Sequence, residues 1–197
     1  MALSAVGLCS RALLKLGAEA ISSFNDSAAE AEIASALYAP IRDSQLASHP
    51  WRFATAHMTL NRLPSAPETG HAFAYQLPDR FLRAVGIGDR RGAQDAVSFA
   101  IAGRHLLTDH PAPVLTYIYR PDEESTPSYF DQVLITRLAA EFCLSLTESP
   151  TRARMLAQSA DEESRQARRI DSQQATTQAI RSFPLIDIRS GWTGARR

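Results

Sequence analysis

Residues 8–55 read LCSRALLKLGAEAISSFNDSAAEAEIASALYAPIRDSQLASHPWRFAT, and this stretch sets the architecture. Val6, Cys9, Leu13 and Leu16 recur at three- and four-residue steps and line one face of a helix over about 4–16. Gly17 is its natural stop, because glycine accepts the left-handed backbone that closes a helix. A connecting turn carries one anchoring aromatic, Phe24. Ser27 and Glu30 have capping-box spacing, which predicts a second helix over about 28–48. Ile33, Leu37 and Ile41 share a face of it, and alanines at 28, 29, 31, 34 and 36 allow another helix to approach closely. Pro40 removes one backbone hydrogen bond and is expected to kink it, and Pro50 ends it. The run then delivers Trp51 and Phe53 to the start of a strand.

Between residues 51 and 121 the period changes from helical to alternating. Strands are expected from Phe53 to Thr59, over Phe81–Ile87, and over Val114–Tyr119. Val97–Ile101 and Leu106–Thr108 read as a hairpin across Ala102, Gly103, Arg104 and His105. Four or five short strands separated by Pro and Gly imply one small antiparallel sheet inserted between helices. Thr126–Pro127 then caps the strongest helix, about 128–146, with Phe130, Leu134, Leu138 and Phe142 four apart. Ser149–Pro150 repeats the signal for a fourth helix to about 178. Its apolar stripe is thin (Met155, Leu156, Ala160, Ala167, Ile170), with Asp161 and Arg165 spaced for an ion pair. Such a helix is either solvated or packs on a neighbouring subunit. The expected fold is thus α+β and mainly α. A four-helix body (1–50 and 126–179) carries a β insertion (51–121) and an extended C-terminal segment (180–197) in one domain.

The bulk numbers suit a globular chain with a real core: 197 residues, 45% hydrophobic and 21% charged. Lys+Arg and Asp+Glu are equal at 21, so no field of one sign draws the whole molecule to nucleic acid or an anionic membrane. Lys15 is the single lysine among arginines, which fits either a coding bias or a need for planar bidentate contacts. Cys9 and Cys143 lie far apart among apolar residues and read as buried free thiols, a usage that suits a reducing cytoplasm. No charged segment precedes the first apolar residues, and no apolar run approaches about 20 residues, so neither a signal peptide nor a membrane span is expected.

Catalytic patterns are missing from the text. No phosphate-binding Gly-rich loop, GxSxG, HExxH, EF-hand or CxxC occurs, so neither a cofactor nor a metal is expected. His49, His57, His71, His105 and His110 are scattered. His105, Asp109 and His110 are close in sequence and would serve a small hydrolase, but a polar hairpin end explains them at less cost. Arg152, Arg154, Arg165, Arg168 and Arg169 enrich the fourth helix in positive charge. Asp161, Glu162, Glu163 and Asp171 interleave with them, which favours salt-bridged packing over a DNA-binding face. Asp122, Glu123 and Glu124 form an acidic loop ahead of the third helix. Phe183, Leu185, Ile186, Ile188 and Trp192 make the C-terminal segment too apolar for a frayed end, so it is expected to dock on something.

Three stretches, in order, carry a family resemblance: residues 8–55, YQLPDRFLRAVGI at 75–87, and LITRLAAEFCLSLTESPTRARMLAQSADEESRQARRIDSQQ at 134–174. Together they resemble the head-to-tail connector (adaptor) proteins of tailed bacteriophages and gene transfer agents, of the tail-tubular-protein-A-like kind. The text departs from that pattern after about residue 178. The resemblance implies a structural ring subunit without enzymatic activity, part of a DNA exit channel at the head–tail junction of a particle made in the bacterial cytoplasm. Its implied partners are a portal protein, twelve copies of itself in a ring, the next tail or stopper protein, and DNA passing without sequence specificity. Membrane is not among them. On this reading Phe183, Leu185, Ile186, Ile188 and Trp192 meet the portal, and Arg165, Arg168, Arg169, Asp122, Glu123 and Glu124 face neighbouring subunits. The alternatives from other classes are a small accessory hydrolase and a DNA-binding regulatory module.

Overall fold

The structure is a computed structural model that describes residues 3–65, 67, 70–88, 97–147 and 149–174. Its first helix, α1 (Ala5–Leu16), is capped at both ends by local chemistry. Ser4 Oγ accepts the Gly7 N–H at 3.1 Å. Gly17 (φ 77°) closes the helix, with its N–H on Leu14 C=O and the Ala18 N–H on Leu13 C=O, the paired bonds of a Schellman motif. In the following turn the Asp26 carboxylate accepts the N–H groups of Ser22 and Ser23 at 2.9 and 3.0 Å. Phe24 packs against Tyr38 and the core, as its isolated position in the turn suggested.

Helix α2 (Ala29–Ala47) begins one residue later than the capping-box spacing implied. Ala28 takes the N-cap position without a side-chain hydrogen bond, and Glu30 and Glu32 supply negative charge to the first turn. Its buried face is centred on Ala31, Ala34 and Tyr38, while Ile33, Leu37 and Ile41 sit half-buried on the shoulder. Small residues take the centre because they let the neighbouring backbone come close. The helix runs on through Pro40, which is exposed. Helix α3 (Ser128–Thr147) is the pillar of the body. Phe130, Leu134, Leu138 and Phe142 are fully buried, and so are Val133, Ile135, Ala139 and Cys143 on its other sides. A helix buried all round needs neighbours all round, and α1, α2 and helix α4 (Pro150–Ser172) surround it. Thr126 does not cap α3 as an N-cap; its hydroxyl donates to Glu123 C=O at 2.8 Å and reaches Asp131 Oδ1. At α4, Ser149 Oγ does accept the Arg152 N–H, with Pro150 in the first turn as the sequence indicated.

Among the described residues the β region holds six strands: β1 (Thr55–Thr59), β2 (Phe73–Gln76), β3 (Phe81–Gly88), β4 (Phe99–Ala102), β5 (His105–Thr108) and β6 (Val114–Tyr119). They form two three-stranded antiparallel sheets, β1-β6-β3 and β2-β5-β4, where one sheet was expected. Strand β2 is the unexpected element; it pairs with β5, Tyr75 opposite Leu106. The β4–β5 hairpin is as expected, with Gly103 at φ 58° in its two-residue turn. A single 3₁₀ turn, Arg52–Ala54, stands where the first strand was expected to begin.

Strand β6 explains how the layers stack. Ile118 belongs to the helical core, whereas Leu115 and Tyr117 on the opposite face pack with Tyr75 and Leu106 of the second sheet. The first sheet therefore stands between the helices and the second sheet. The chain is α+β and mainly α, with a helical body and an inserted β module. Helix α4 closes at Ser172 with Gln173 as its C-cap, short of the expected 178, and residues 175–197 lie outside the described residues.

Candidate functional site

The outer face of α4 takes its shape from a narrow inner one. Ala160, Ser164, Ala167 and Asp171 are buried at steps of four, three and four, and they seat the helix along α3. Arg165, Arg168 and Arg169 are exposed on the remaining surface and form no ion pair among the described residues. Of the carboxylates that interleave with them, Asp161, Glu163 and Asp171 are engaged elsewhere, while Glu162 is exposed one turn before Arg165. Asp161 pairs with Arg137 of α3, not with Arg165 four residues on. Glu163 accepts from Gln132 Nε2 at 3.4 Å and lies 3.9 Å from Lys15 Nζ, which also reaches Thr136 Oγ1. The one lysine thus sits where three helices meet. Salt-bridged packing is found on the inner side, and Arg165, Arg168 and Arg169 are left on the outer side with Glu162. Met155 (66% exposed) and Leu144 (58%) add apolar surface at one end of the α3–α4 hairpin.

At the other end of α4, the chain passes a cleft of about 360 Å³ lined by His49, Arg52, Thr55, His57 and Asp171. Asp171 is 1% exposed, and its charge is matched by fixed donors. The Arg52 N–H lies 3.2 and 3.1 Å from its two oxygens, and the Tyr129 hydroxyl donates to Oδ1 at 2.9 Å. Burial, then this carboxylate, pushes the Tyr129 phenol well above its usual range. His49 stacks edge-on against Trp51, with centroids 4.9 Å apart. Burial, reinforced by the Arg168 charge, holds His49 below the ordinary histidine range. His57 Nδ1 shares a hydrogen bond with Thr116 Oγ1 at 2.9 Å. The Thr55 hydroxyl donates to Trp51 C=O. The cleft's polar atoms tie α4 to the Trp51 corner. Sequence reading missed Asp171 as a keystone. The clue is its register: it occupies the next core position of the stripe through Ala160, Ser164 and Ala167.

The acidic loop divides its charges. Glu123 takes hydrogen bonds from Tyr38 Oη at 3.0 Å and Arg42 Nη1 at 2.7 Å. Burial raises its carboxyl, but a bond from its own backbone amide and those from Arg42 and Tyr38 outweigh this and leave it below the usual carboxylate range. Arg42 Nε also donates to Asp43, and Arg120 donates to both Asp43 oxygens. This chain of charges joins α2 to the loop after β6 and clamps the β module to the body. Asp122 pairs with Arg80 at 2.8 Å on the surface, and Glu124 is exposed. Glu123 is thus engaged within its own chain, while Glu124, Arg165, Arg168 and Arg169 remain on the surface.

His105 and Asp109 are at opposite ends of β5, on the order of 13 Å apart along the strand. Asp109 instead accepts the Ala72 N–H at 2.7 Å and lies 3.5 Å from His71 Nδ1. His110 Nδ1 accepts the Ala112 N–H, and its carbonyl accepts the Tyr75 hydroxyl. The three residues do not converge on one point. Among the described residues, no group of three or more His, Cys, Asp or Glu is placed to hold a metal ion. Cys9 and Cys143 are buried free thiols, and burial pushes the Cys9 thiol up to about 12. No helix among the described residues is long and apolar enough to cross a membrane. Phe183, Leu185, Ile186, Ile188 and Trp192 lie outside the described residues. No protein-family model matches this chain, and no curated protein matches it.

Proposed function

We propose that this chain is a structural adaptor, the ring subunit that joins a portal to the tail of a phage or gene-transfer-agent particle, and not an enzyme. The observation that carries the reading is the two-sidedness of α4. One narrow stripe seats it on α3, while Arg165, Arg168 and Arg169 stand outward, and the helix leads towards the apolar residues 183–192. A helix with one anchored face and one outer face rich in arginine, without ion pairs at Arg165, Arg168 and Arg169 among the described residues, is suited to packing between copies. An apolar segment beyond it is suited to a groove on a partner.

In this reading Arg165, Arg168 and Arg169 of one copy meet acidic groups such as Glu124 on the next. Phe183, Leu185, Ile186, Ile188 and Trp192 dock on the portal. Twelve copies line a passage for DNA and present the β module to the next tail or stopper protein. The particle is assembled in the bacterial cytoplasm, and no cofactor or membrane is involved.

The test is to mix the full chain with the portal protein of the same gene cluster and weigh the products by native mass spectrometry. The expected product is a discrete complex with one copy per portal subunit. Deleting residues 180–197 is expected to spare the fold and abolish that complex. A folded monomer that leaves the portal untouched would overturn the adaptor reading. A folded truncation that still binds the portal normally would overturn the role of the C-terminal segment.

A further inference from the structure

Three turns far apart in sequence meet at the junction of the two sheets, and each brings an arginine. Arg80 stands between β2 and β3, Arg104 in the β4–β5 hairpin turn, and Arg120 directly after β6. They line a pocket of about 300 Å³ whose apolar wall is Leu77, Pro78 and Phe81. The turns are tied to each other through their backbones. The Leu77 N–H donates to Arg104 C=O at 3.0 Å, and the Arg120 N–H to Arg80 C=O at 2.9 Å. The guanidinium groups therefore hang from a fixed frame. Arg80 is also the one non-glycine with positive φ (58°) among the described residues. That backbone crowds a side chain against the following carbonyl, and glycine or asparagine would sit there with less strain. A long cation in so strained a place points to a use for the side chain.

No carboxylate among the described residues lines the pocket. The acidic partners stand outside it, and two of the three are in solvent. Arg80 Nη1 meets Asp122 Oδ1 at 2.8 Å, with the aspartate 70% exposed. Arg104 Nη2 meets Asp79 Oδ1 at 3.0 Å, with the aspartate 96% exposed. Each contact uses one of the five N–H donors a guanidinium carries. Exposed, single-contact pairs of this kind are weak. They yield to a ligand that offers several charged oxygens at once. Arg120 is different, because Asp43 holds it through Nε and Nη2, which fixes its guanidinium and offsets its charge.

We propose that this pocket binds a phosphoryl group carried on a nucleotide, either free or at the end of a nucleic-acid chain. Its tetrahedral oxygens meet Arg80 and Arg104, with Arg120 behind, and the organic part lies along Leu77, Pro78 and Phe81. A carboxylate presents two oxygens in one plane and cannot answer donors from three turns. A bare phosphate ion would leave the apolar wall uncovered. The inference is independent of the adaptor reading and is tested without a portal.

The experiment titrates the full chain at low salt with three probes: inorganic phosphate, adenosine monophosphate, and a short single-stranded oligonucleotide with a terminal phosphate. Calorimetry reads the affinity, and backbone amide shifts read the place. Saturable binding is expected, with shifts at Leu77, Phe81, Gly103 and Arg104, and with either nucleotide probe tighter than inorganic phosphate. A tighter oligonucleotide names a nucleic-acid end as the source, and equal affinity names the free nucleotide. Arg104→Ser and Arg80→Gly are each expected to weaken binding by about tenfold. The glycine suits the left-handed backbone at residue 80, so that variant removes the charge without threatening the fold. The proposal is overturned if no probe saturates below about 10 mM. It is also overturned if both variants bind like the parent, or if inorganic phosphate binds as tightly as the nucleotides.

Discussion

The helical body and the β module bury their interiors by different means. The body gathers Trp51 and the leucines of α1 around Phe130, Leu134, Leu138 and Phe142 of the largely buried α3. The rings of Trp51 and Phe130 meet edge-on at 5.3 Å, and Phe53 closes on Phe130 at 5.1 Å. The module has a smaller core of Leu60, Tyr75, Leu77, Ile87, Leu106, Leu115 and Tyr117, enclosed by two three-stranded sheets. It leans on the body through the opposite face of β6 and through the Arg42–Glu123 and Arg120–Asp43 pairs. The difference teaches which part of the chain is built around a deep core and which part presents turns. The body is a scaffold that sets the direction of α4, and the module is a platform whose turns carry surface chemistry.

The comparison breaks most visibly at Trp51 and Leu106. Trp51→Ala is expected to cost about 3–5 kcal/mol and to lower the helical unfolding transition. Leu106→Ala is expected to cost about 2–4 kcal/mol, felt first as loss of protection in β2, β4 and β5. Denaturant unfolding followed by far-UV circular dichroism checks both. If Leu106→Ala shifts the helical transition as far as Trp51→Ala, body and module are one cooperative unit and the distinction fails.

A smaller effect is expected at Asp171. Replacing it with alanine leaves the Arg52 N–H and the Tyr129 hydroxyl without an acceptor inside the cleft, at a cost of about 1–3 kcal/mol. Accompanying loss of amide protection should appear at the end of α4 and at Arg52. Unchanged stability and protection would show that α4 is held by its alanines alone.

The smallest effect concerns the clamp and is read against pH. The Glu123 carboxyl is held below its unfolded value, so its contribution is fully present above about pH 4.3 and is lost as pH falls through the lower folded value. The stability difference between the parent chain and Glu123→Gln should stay constant at neutral pH and shrink in acid. A difference that stays flat from neutral to strongly acidic solution would remove Glu123 from the clamp.

Much of the body was legible because its signals are local. The glycine that closes α1, the four-residue steps of α3 and the Ser149–Pro150 start of α4 each act within a turn or two of the backbone. The hairpin at Gly103 was legible for the same reason. What was hidden depends on partners distant in sequence. Strand β2 is four residues long, and its identity comes from pairing with β5 thirty residues away, which also divides the strands into two sheets. Asp161 and Glu163 answer α3 and not their own helix, because the inner face of α4 is set by what it meets. Asp171 looked like one more charge in a polar helix until its register placed it in the core. The convergence of Arg80, Arg104 and Arg120 follows from the nesting of the two sheets, which no local pattern announces.

Hydrogen exchange on the full chain, alone and mixed with the portal protein of the same gene cluster, tests the central claim most directly. Alone, α3 and the facing turns of α1 should exchange slowest and the second sheet faster. With portal, the account predicts new protection in residues 180–192 and in α4, with the pattern in α1 and α3 unchanged. New protection confined to the β module, or none anywhere, would contradict it.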